Sequence, residues 1–317
     1  MSATVSVREL ADAVLYEGHV LWPYRRSSLK NHQRWTFGGV YPAAYALASS
    51  DRSAVQVECL VEGAAPVVET EVRFLQVVHR QAVDDANEPL DELGGYLTWD
   101  ETTERAVEVP GVHAAEAAQA SAEIAAGRDV ELVDGGALVR CWERLDGHVD
   151  ASLEPLTPDL HKLCVRVVND SAWAATERDG AIRRTLLSAH VILRVEAGLF
   201  VSSTDPQPQF MEAAGRLCND GLWPVLVGDE GDRASMLGSP IILSDYAQVA
   251  PESPGNFFDS GEIDQMVVLN ILCMTDDEKR EMRAGDPRAR EILERTEAMT
   301  PAEMSQLHGV VRELRPV

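Results

Sequence analysis

The sequence has none of the compact motifs that mark common catalytic and cofactor-binding proteins. It contains no G-x-x-x-x-G-K-[ST] or G-x-G-x-x-G loop, no H-x-x-x-H or H-E-x-x-H pattern and no G-x-S-x-G turn. These absences argue against nucleotide binding through either glycine-rich loop, against a zinc-hydrolase helix and against a serine hydrolase. We therefore expect no cofactor and no metal ion, while a site assembled from distant residues stays open.

Cysteine is also scarce. Five cysteines occur in 317 residues, with no C-x-x-C pair and no compact cluster with histidine. Widely spaced cysteines of odd number form neither a disulfide framework nor a zinc site, so we expect reduced and mostly buried thiols. They are Cys59, Cys141, Cys164, Cys218 and Cys273.

Long apolar runs and basic residues are few. No segment approaches the roughly 18–20 apolar residues that cross a bilayer, and the opening MSATVSVREL lacks a charged segment followed by an apolar one. We expect a cytoplasmic protein without membrane insertion. The 28 Lys and Arg residues face 52 Asp and Glu residues, a formal net charge of −24. Such a charge opposes binding to nucleic acid and favours a cationic partner surface.

The spacing of apolar residues predicts an α+β fold with a mainly antiparallel β-sheet core and a helical C-terminal region. Alternation at 54–61 and 67–83 predicts two strands paired around a turn at 63–66. Residues 96–109 predict a second pair, with its turn near 101–104. Further short strands are expected up to residue 243, and their short connections favour antiparallel pairing.

Helices are expected at 5–15, at the alanine-rich stretch 113–126 and at 210–218. After residue 259 the chain is expected to be helical, beginning with a buried helix at 260–273. The helix-start signals in this region share one pattern, a capping residue followed by glutamate three positions later or by proline at the next position. They begin at Asp259, Thr275, Asp286 and Thr300.

The length permits one large domain or two ordinary ones. The hydrophobic content of 45% is typical of a folded protein. Residues 113–136 are the candidate boundary. They divide residues 1–130, an aromatic and basic segment with a strand-rich part, from residues 131–317, antiparallel strands followed by C-terminal helices. A single domain is the alternative.

Residues 16–41, here called the aromatic–basic block, reverse the charge of the rest of the chain. The block reads YEGHVLWPYRRSSLKNHQRWTFGGVY, with Glu17 as its only acid. Arginine binds carboxylates and phosphates bidentately, and aromatic side chains supply large contact areas, so the block is a candidate partner-binding surface. The alternative is that its aromatic residues cover the core and its cations pair with the chain's own carboxylates. The candidate contact residues are Trp22, Tyr24, Arg25, Arg26, Lys30, Arg34 and Trp35.

A second hypothesis is an enzyme of unknown substrate, with a pocket between the strand region and the loop 245–259. His190 and Asp245 would act there as acid and base. Ser188 lies two positions before His190 on the same strand face, but no serine-hydrolase turn surrounds it. A group of acidic residues offers oxygen ligands for a hard cation, namely Asp245, Glu252, Asp259, Glu262 and Asp264. The simpler explanation is that Asp259 and Glu262 cap a helix and that the others are solvated.

Two stretches resemble motifs of an actinobacterial protein family found beside genes for [NiFe]-hydrogenases. They are YEGHVLWPYRRSSLKNHQRWTFGGVYP at 16–42 and SPIILSDYAQVAPESPGNFFDSGEIDQMVVLNILCMTDDEKREMRAGDPRAREILER at 239–295, with a further similarity at 183–202. The family usually has an aromatic residue where this chain has His19, which we interpret as a difference in surface detail.

The resemblance implies a role with hydrogenase, and the cysteines limit what that role is. Catalytic and electron-transfer subunits hold their metals with closely spaced cysteines, which this chain lacks. The resemblance therefore implies a non-catalytic accessory protein that binds a [NiFe]-hydrogenase subunit or precursor during assembly or maturation. Its contacts would come from the aromatic–basic block and the loop 245–259.

Overall fold

Antiparallel strands form most of the protein, and helices lie mainly near its C-terminal end. The computed structural model describes residues 3–35, 37–175, 177–248, 257–258 and 264–300. The helices are α1 (Ala3–Leu15), α2 (Ala43–Ser49), α3 (Arg178–Ile182), α4 (Met211–Ala214), α5 (Asp264–Leu272), α6 (Asp276–Ala284) and α7 (Pro287–Ala298), with 3-10 helices at Leu29–Gln33 and Pro208–Phe210. The strands are β1 (Ala54–Glu62), β2 (Val67–Asp84), β3 (Pro89–Leu90), β4 (Glu92–Leu93), β5 (Tyr96–Leu97), β6 (Trp99–His113), β7 (Glu116–Ser121), β8 (Gly127–Val133), β9 (Gly136–Trp142), β10 (Gly147–Thr157), β11 (Leu160–Asn169), β12 (Leu187–Glu196), β13 (Leu199–Phe200), β14 (Trp223–Leu226) and β15 (Ser235–Ser239).

Two large sheets organise these strands. One has the order β13-β1-β11-β10-β7, and the other runs β14-β15-β12-β2-β9-β8, with β3 and β6 also paired to β2. The long strand β2 is central, because β6 follows one of its edges while β12 and then β9 follow the other. A separate short hairpin joins β4 to β5.

The main core lies between the two sheets. Alternate residues of β1, from Val55 to Val61, pack with alternate residues of β12, from Ala189 to Val195. Successive strand side chains point to opposite faces, so these strands present one apolar face to the facing sheet. The opposite face of β2 and β12 remains available for a third layer.

Helices and the aromatic–basic block form that third layer. Helix α1 places Val7, Leu10 and Val14 against Ile192 of β12 and Leu237 of β15. A second cluster joins Leu75 and Val77 of β2 to side chains of the block and of the helices α5, α6 and α7. None of the described helices is long and apolar enough to cross a bilayer.

The expected pairing of the strands at 54–61 and 67–83 is wrong. Both strands form, as β1 and β2, but β1 pairs with β11 and β13 while β2 pairs with strands of the other sheet. The turn at 63–66 therefore carries the chain from one sheet to the other. This crossing places the apolar faces of β1 and β2 in the same core from opposite sheets.

Two other expectations between residues 96 and 126 are wrong. Residues 101–104 make no turn, because the segment has no glycine or proline and continues as β6 along β2. The alanine-rich stretch forms β7, paired with β10, instead of a helix. Ala118 and Ala120 pack against the sandwich core, so tertiary contact overrides the helix propensity of alanine.

The helix predictions have mixed outcomes. The N-terminal helix is confirmed as α1, whereas the helix expected at 210–218 shortens to α4 after a 3-10 turn. Helix α5 is not buried all round, because Met266 and Leu269 are 51% and 45% exposed. Residues 260–263 lie outside the described residues.

The capping signals at Thr275 and Asp286 are confirmed. Thr275 and Glu278 form a reciprocal capping box on α6, and Asp286 accepts from the backbone N–H of Arg288 at the start of α7. The signals that begin at Asp259 and Thr300 depend on residues outside the described ranges.

Most of the cysteines lie at or near the surface. Only Cys59 is buried, while Cys141, Cys218 and Cys273 are exposed, so the expectation of mostly buried thiols is wrong. All five are unbonded.

The division between residues 130 and 131 falls inside β8, which pairs with β9 along its whole length. The two-domain organisation stays a prediction.

Candidate functional site

The aromatic–basic block is attached to the C-terminal part of the chain by direct hydrogen bonds. The hydroxyl of Tyr24 donates to the backbone oxygen of Phe257 at 2.8 Å. The backbone N–H of Ser27 and its hydroxyl donate to the two carboxylate oxygens of Glu281 at 2.7 and 3.0 Å. Because these partners are 233 and 254 residues apart in sequence, the block and α6 are brought together only by the fold.

A buried pair, His19 and Asp286, lies at the centre of this contact. The Nε2 atom of His19 is 3.0 Å from Oδ2 of Asp286, and the two side chains are 2% and 1% exposed. The indole of Trp99 donates to the same oxygen at 3.2 Å. The indole of Trp35 donates to Nδ1 of His19 at 3.4 Å. His19 is thus part of the interior, and its interpretation as a surface detail is wrong.

The surroundings of Asp286 keep its carboxyl group ionised. Burial alone would raise the pKa of this group. The charge of His19, its hydrogen bond and the nearby charge of Arg34 outweigh burial and hold the pKa well below its usual range. Since Asp286 also caps α7, one buried charge links the block, β6 and the last described helix.

Arg34 is held between two indole rings. Its guanidinium carbon lies 4.1 Å from the ring centroid of Trp35 and 3.9 Å from that of Trp99. Its Nη2 atom donates to the backbone oxygen of Asp100 at 3.0 Å, while Nη1 has no hydrogen-bond partner. Burial lowers the pKa of Arg34 to about 10, against the opposing effect of Asp286 and Asp100, so the side chain stays charged near neutral pH.

His79 and Asp100 form a second polar pair beside Arg34. The two residues are directly opposite on β2 and β6, and Nδ1 of His79 lies 2.6 Å from Oδ1 of Asp100. Arg183 reaches the same carboxylate oxygen at 3.3 Å. Burial would raise the pKa of Asp100, but the hydrogen bond from His79 and the charges of Arg183 and Arg34 hold it below its usual value. This arrangement fixes the imidazole and leaves Nε2 without a described partner.

A cleft of about 350 Å³ opens beside these groups. The block, strands β2 and β6, and helix α3 all contribute to its wall, which is mostly polar. The lining includes His32, Arg34, His79, Asp100, Arg178 and Asp179. Arg178 donates to the backbone oxygen of Arg34 at 2.8 Å, so the two arginines are neighbours in the wall. Arginine, histidine and carboxylate groups in one cleft can bind a small charged molecule or transfer a proton.

The predicted contact residues differ in their accessibility. Tyr24, Arg34 and Trp35 are buried, Trp22, Arg25 and Arg26 are partly exposed, and Lys30 is exposed. Arg25 pairs with Glu278 at 2.9 Å, and Arg26 donates to the backbone oxygen of Thr98 at 3.4 Å. The buried residues therefore build the third layer, and direct contact with a partner would fall to the others.

His190 and Asp245 make separate contacts and share no hydrogen bond. His190 is fully buried, and its Nδ1 atom lies 3.0 Å from the backbone oxygen of Ser188. Burial lowers the pKa of His190 to about 4. Asp245 accepts from the hydroxyls of Ser202 and Thr204 at 2.6 and 2.8 Å. Residues 249–256 and 259 of the expected pocket lie outside the described residues, so the pocket stays a prediction.

No cluster of His, Cys, Asp or Glu among the described residues could hold a metal ion. Asp245, the first member of the acidic group considered above, also accepts from the backbone N–H of Leu226 at 2.9 Å. Its oxygens are therefore engaged within the chain. Glu252, Asp259 and Glu262 lie outside the described residues.

Sequence reasoning missed the polar residues that line the cleft, apart from Arg34. His79, Asp100 and Arg178 come from three separate elements and belong to no motif. The one available signal was register, because a correct alignment of β2 with β6 places His79 opposite Asp100. The predicted turn at 101–104 concealed that alignment.

Comparison with known proteins adds no relative from which to transfer an activity. No model of a known protein family matches the chain. No curated protein matches it either.

Proposed function

We propose that this protein is a non-catalytic accessory protein that binds a [NiFe]-hydrogenase subunit or its precursor in the cytoplasm during assembly. The proposal is supported by the resemblance of residues 16–42 and 239–295 to the hydrogenase-associated family. One structural observation carries it further. The first stretch packs directly on the second, through contacts such as Tyr24 with Phe257 and His19 with Asp286.

This packing explains why two distant stretches would act together. The C-terminal helices supply the buried partners that hold the block in place, and the block presents its remaining side chains outward. A preorganised surface loses less conformational entropy on binding than a flexible one. The two stretches therefore suit a single docking surface.

The outward part of the block is centred on the 3-10 helix Leu29–Gln33. Leu29 is 82% exposed, and Lys30 and His32 are exposed beside it. Arg25 and Arg26 lie partly exposed just before them. An exposed apolar side chain among cations fits a partner surface that offers an apolar pocket edged by carboxylates.

The test is capture of the partner by the tagged full chain from its native host under hydrogenase-expressing conditions. Mass spectrometry identifies the bound proteins, and metal analysis measures nickel and iron in the eluate. We expect recovery of a hydrogenase subunit or precursor. Recovery of no hydrogenase protein would overturn the proposed function.

A variant pair then tests the surface. Leu29→Asp with Lys30→Glu should reduce capture about tenfold or more, because removing one hot-spot contact costs about 2 kcal/mol or more. The matched control is Leu132→Asp with Arg216→Glu, at side chains 84% and 77% exposed elsewhere. Equal capture by both variants would show that the 3-10 helix is not the docking surface. Arg34 is unsuitable for this test because it is buried.

A further inference from the structure

We propose that the cleft between the aromatic–basic block, β6 and α3 binds an oxyanion, the carboxylate or phosphate group of a small molecule. This cleft is lined by Asn31 and His32 of the 3-10 helix, whereas Leu29 and Lys30, the outer side chains to which partner docking is assigned, do not line it. It does not depend on the hydrogenase role. Three observations support the site, namely the charge balance, the unpartnered nitrogen atom of Arg34 and the size of the cleft.

The charge balance leaves two arginines without a carboxylate partner. Arg34 donates to the backbone oxygen of Asp100, and Arg178 donates to the backbone oxygen of Arg34. Both acceptors are neutral, and neither arginine forms an ion pair with a carboxylate in the part of the chain that the structure describes. In a chain of net charge −24, carboxylates are abundant, so two adjacent arginines bonded only to neutral groups, namely two backbone carbonyls and the Tyr41 hydroxyl, are unusual.

The nearby acids do not neutralise these arginines by contact. Asp100 is engaged by His79 at 2.6 Å and by Arg183 at 3.3 Å. Asp286, behind Arg34, is engaged by His19. Asp179 is exposed at the rim of the cleft. An anion bound in the cleft would therefore balance the positive charges of Arg34 and Arg178.

A buried nitrogen atom of one lining residue also lacks a partner. The Arg34 side chain is 5% exposed, and its Nη1 atom is buried without a hydrogen bond. The two indoles cover the faces of its guanidinium, so that group can donate only from its edge. The His79 side chain is 28% exposed at the cleft, with its Nδ1 atom held by Asp100. Buried donors in native proteins are nearly always paired, so an orphaned donor beside a cleft indicates a missing acceptor.

The ligand class follows from these donors and from the volume. A cleft of about 350 Å³ is near the lower end of small-molecule sites, which span roughly 300–1,000 Å³. The planar arginine fork matches carboxylate and phosphate equally well. The described lining residues provide no cation-binding cluster, so the site suits a small molecule that presents an oxyanion directly to arginine.

The experiment is isothermal titration calorimetry of the full chain with sodium phosphate and, separately, sodium acetate, each against sodium chloride as the control. We expect saturable binding of one equivalent of at least one probe. Binding of phosphate alone identifies a phosphate ligand, binding of acetate alone identifies a carboxylate, and binding of both supports the shared chemistry. No saturable binding of either probe tighter than about 10 mM would overturn the proposal.

Variants place the bound anion. Arg178→Gln removes the charge of a partly buried side chain and should weaken binding about tenfold or more, because a charge-assisted hydrogen bond is lost. Arg216→Gln, at a side chain that is 77% exposed and is not among the lining residues of the cleft, should leave binding unchanged. Far-UV circular dichroism checks that each variant folds.

A second readout guards against a purely structural effect of Arg178→Gln. Adding the anion to unmodified protein should shift the NMR signals of the His79 ring, and His79→Gln identifies those signals. Anion binding that persists in both Arg178→Gln and His79→Gln, with no shift at the ring, would place the anion elsewhere and overturn the proposal.

Discussion

Replacing Asp286 with alanine is expected to destabilise the fold by about 3–5 kcal/mol, the range for removing one member of a buried charged pair. The structure supplies the reasons. His19 and Trp99 would each keep a buried N–H without its acceptor, at about 1–3 kcal/mol apiece. Helix α7 would also lose its N-terminal cap, worth about 1 kcal/mol. Total stabilities are commonly about 5–15 kcal/mol, so the loss should be easy to measure.

The assay is urea unfolding followed by tryptophan fluorescence and circular dichroism. Thr275→Ala is the matched control, because Thr275 caps the neighbouring helix α6 from an exposed position. Its loss should cost only about 1 kcal/mol. A second comparison is His19→Phe, which places the aromatic type usual in the resembling family at that position. It should cost less than Asp286→Ala, since Trp99 and the Arg288 backbone still donate to Asp286. Equal destabilisation by Asp286→Ala and Thr275→Ala would refute a structural role for the buried pair.

Two further predictions concern the same layer of the fold. The folded-state pKa of Asp286 lies below its unfolded value of about 3.9, so the stabilisation by this carboxylate is fully present above about pH 4 and is lost as pH falls through the folded-state pKa. Between about pH 4 and pH 2 the urea midpoint should therefore fall more steeply in the unmodified protein than in Asp286→Asn, and parallel slopes would contradict this. Arg80→Met should lower the free energy of unfolding by about 3–5 kcal/mol and reduce hydrogen-exchange protection in α6 and α7. The reason is that Arg80 donates to the backbone oxygens of Ala284 and Gly285 as well as to Glu101. The control is Arg140→Met, which removes the partly exposed second partner of Glu101 and should lower the free energy of unfolding by about 1 kcal/mol or less. An equal loss of stability in both variants would refute the assigned role of Arg80.

Local signals in the sequence predicted local structure. The Thr275 capping box and the Asp286-Pro287 helix start involve residues a few positions apart, and both form as expected. The N-terminal helix and most strands were also found from periodicity, because burial of one face imposes that periodicity directly. The antiparallel arrangement followed from the short connections between strands.

Pairing and the cleft depended on information that periodicity does not contain. Alternation in β1 and β2 shows that each strand has one buried face, but not which strand lies beside it. The partners of β2 include β12, more than 100 residues later in the chain. The same limitation applies to His79 and Asp100, whose contact exists only at one register of β2 against β6. A one-residue shift would place the two side chains on opposite faces of the sheet.

The structure is needed to distinguish the buried residues of the aromatic–basic block from the exposed ones. Its composition identified an unusual segment, and both interpretations of that segment name the same residues. Burial assigns Tyr24, Arg34 and Trp35 to the interior and leaves Leu29 and Lys30 outside. Sequence alone does not distinguish these, because aromatic and basic residues are common both in interfaces and over apolar cores.

The contact between the block and the C-terminal helices also has a consequence for synthesis on the ribosome. Tyr24 and Trp35 are made more than 200 residues before the residues that cover them, which lie between Phe257 and Leu293. At about 5–20 residues per second, roughly 10–50 s separate the two events. During that interval the strands up to β15 can assemble into the sandwich, while the aromatic side chains of the block remain uncovered. The growing chain thus carries an apolar surface that a chaperone can bind, and translation of α5, α6 and α7 ends that exposure.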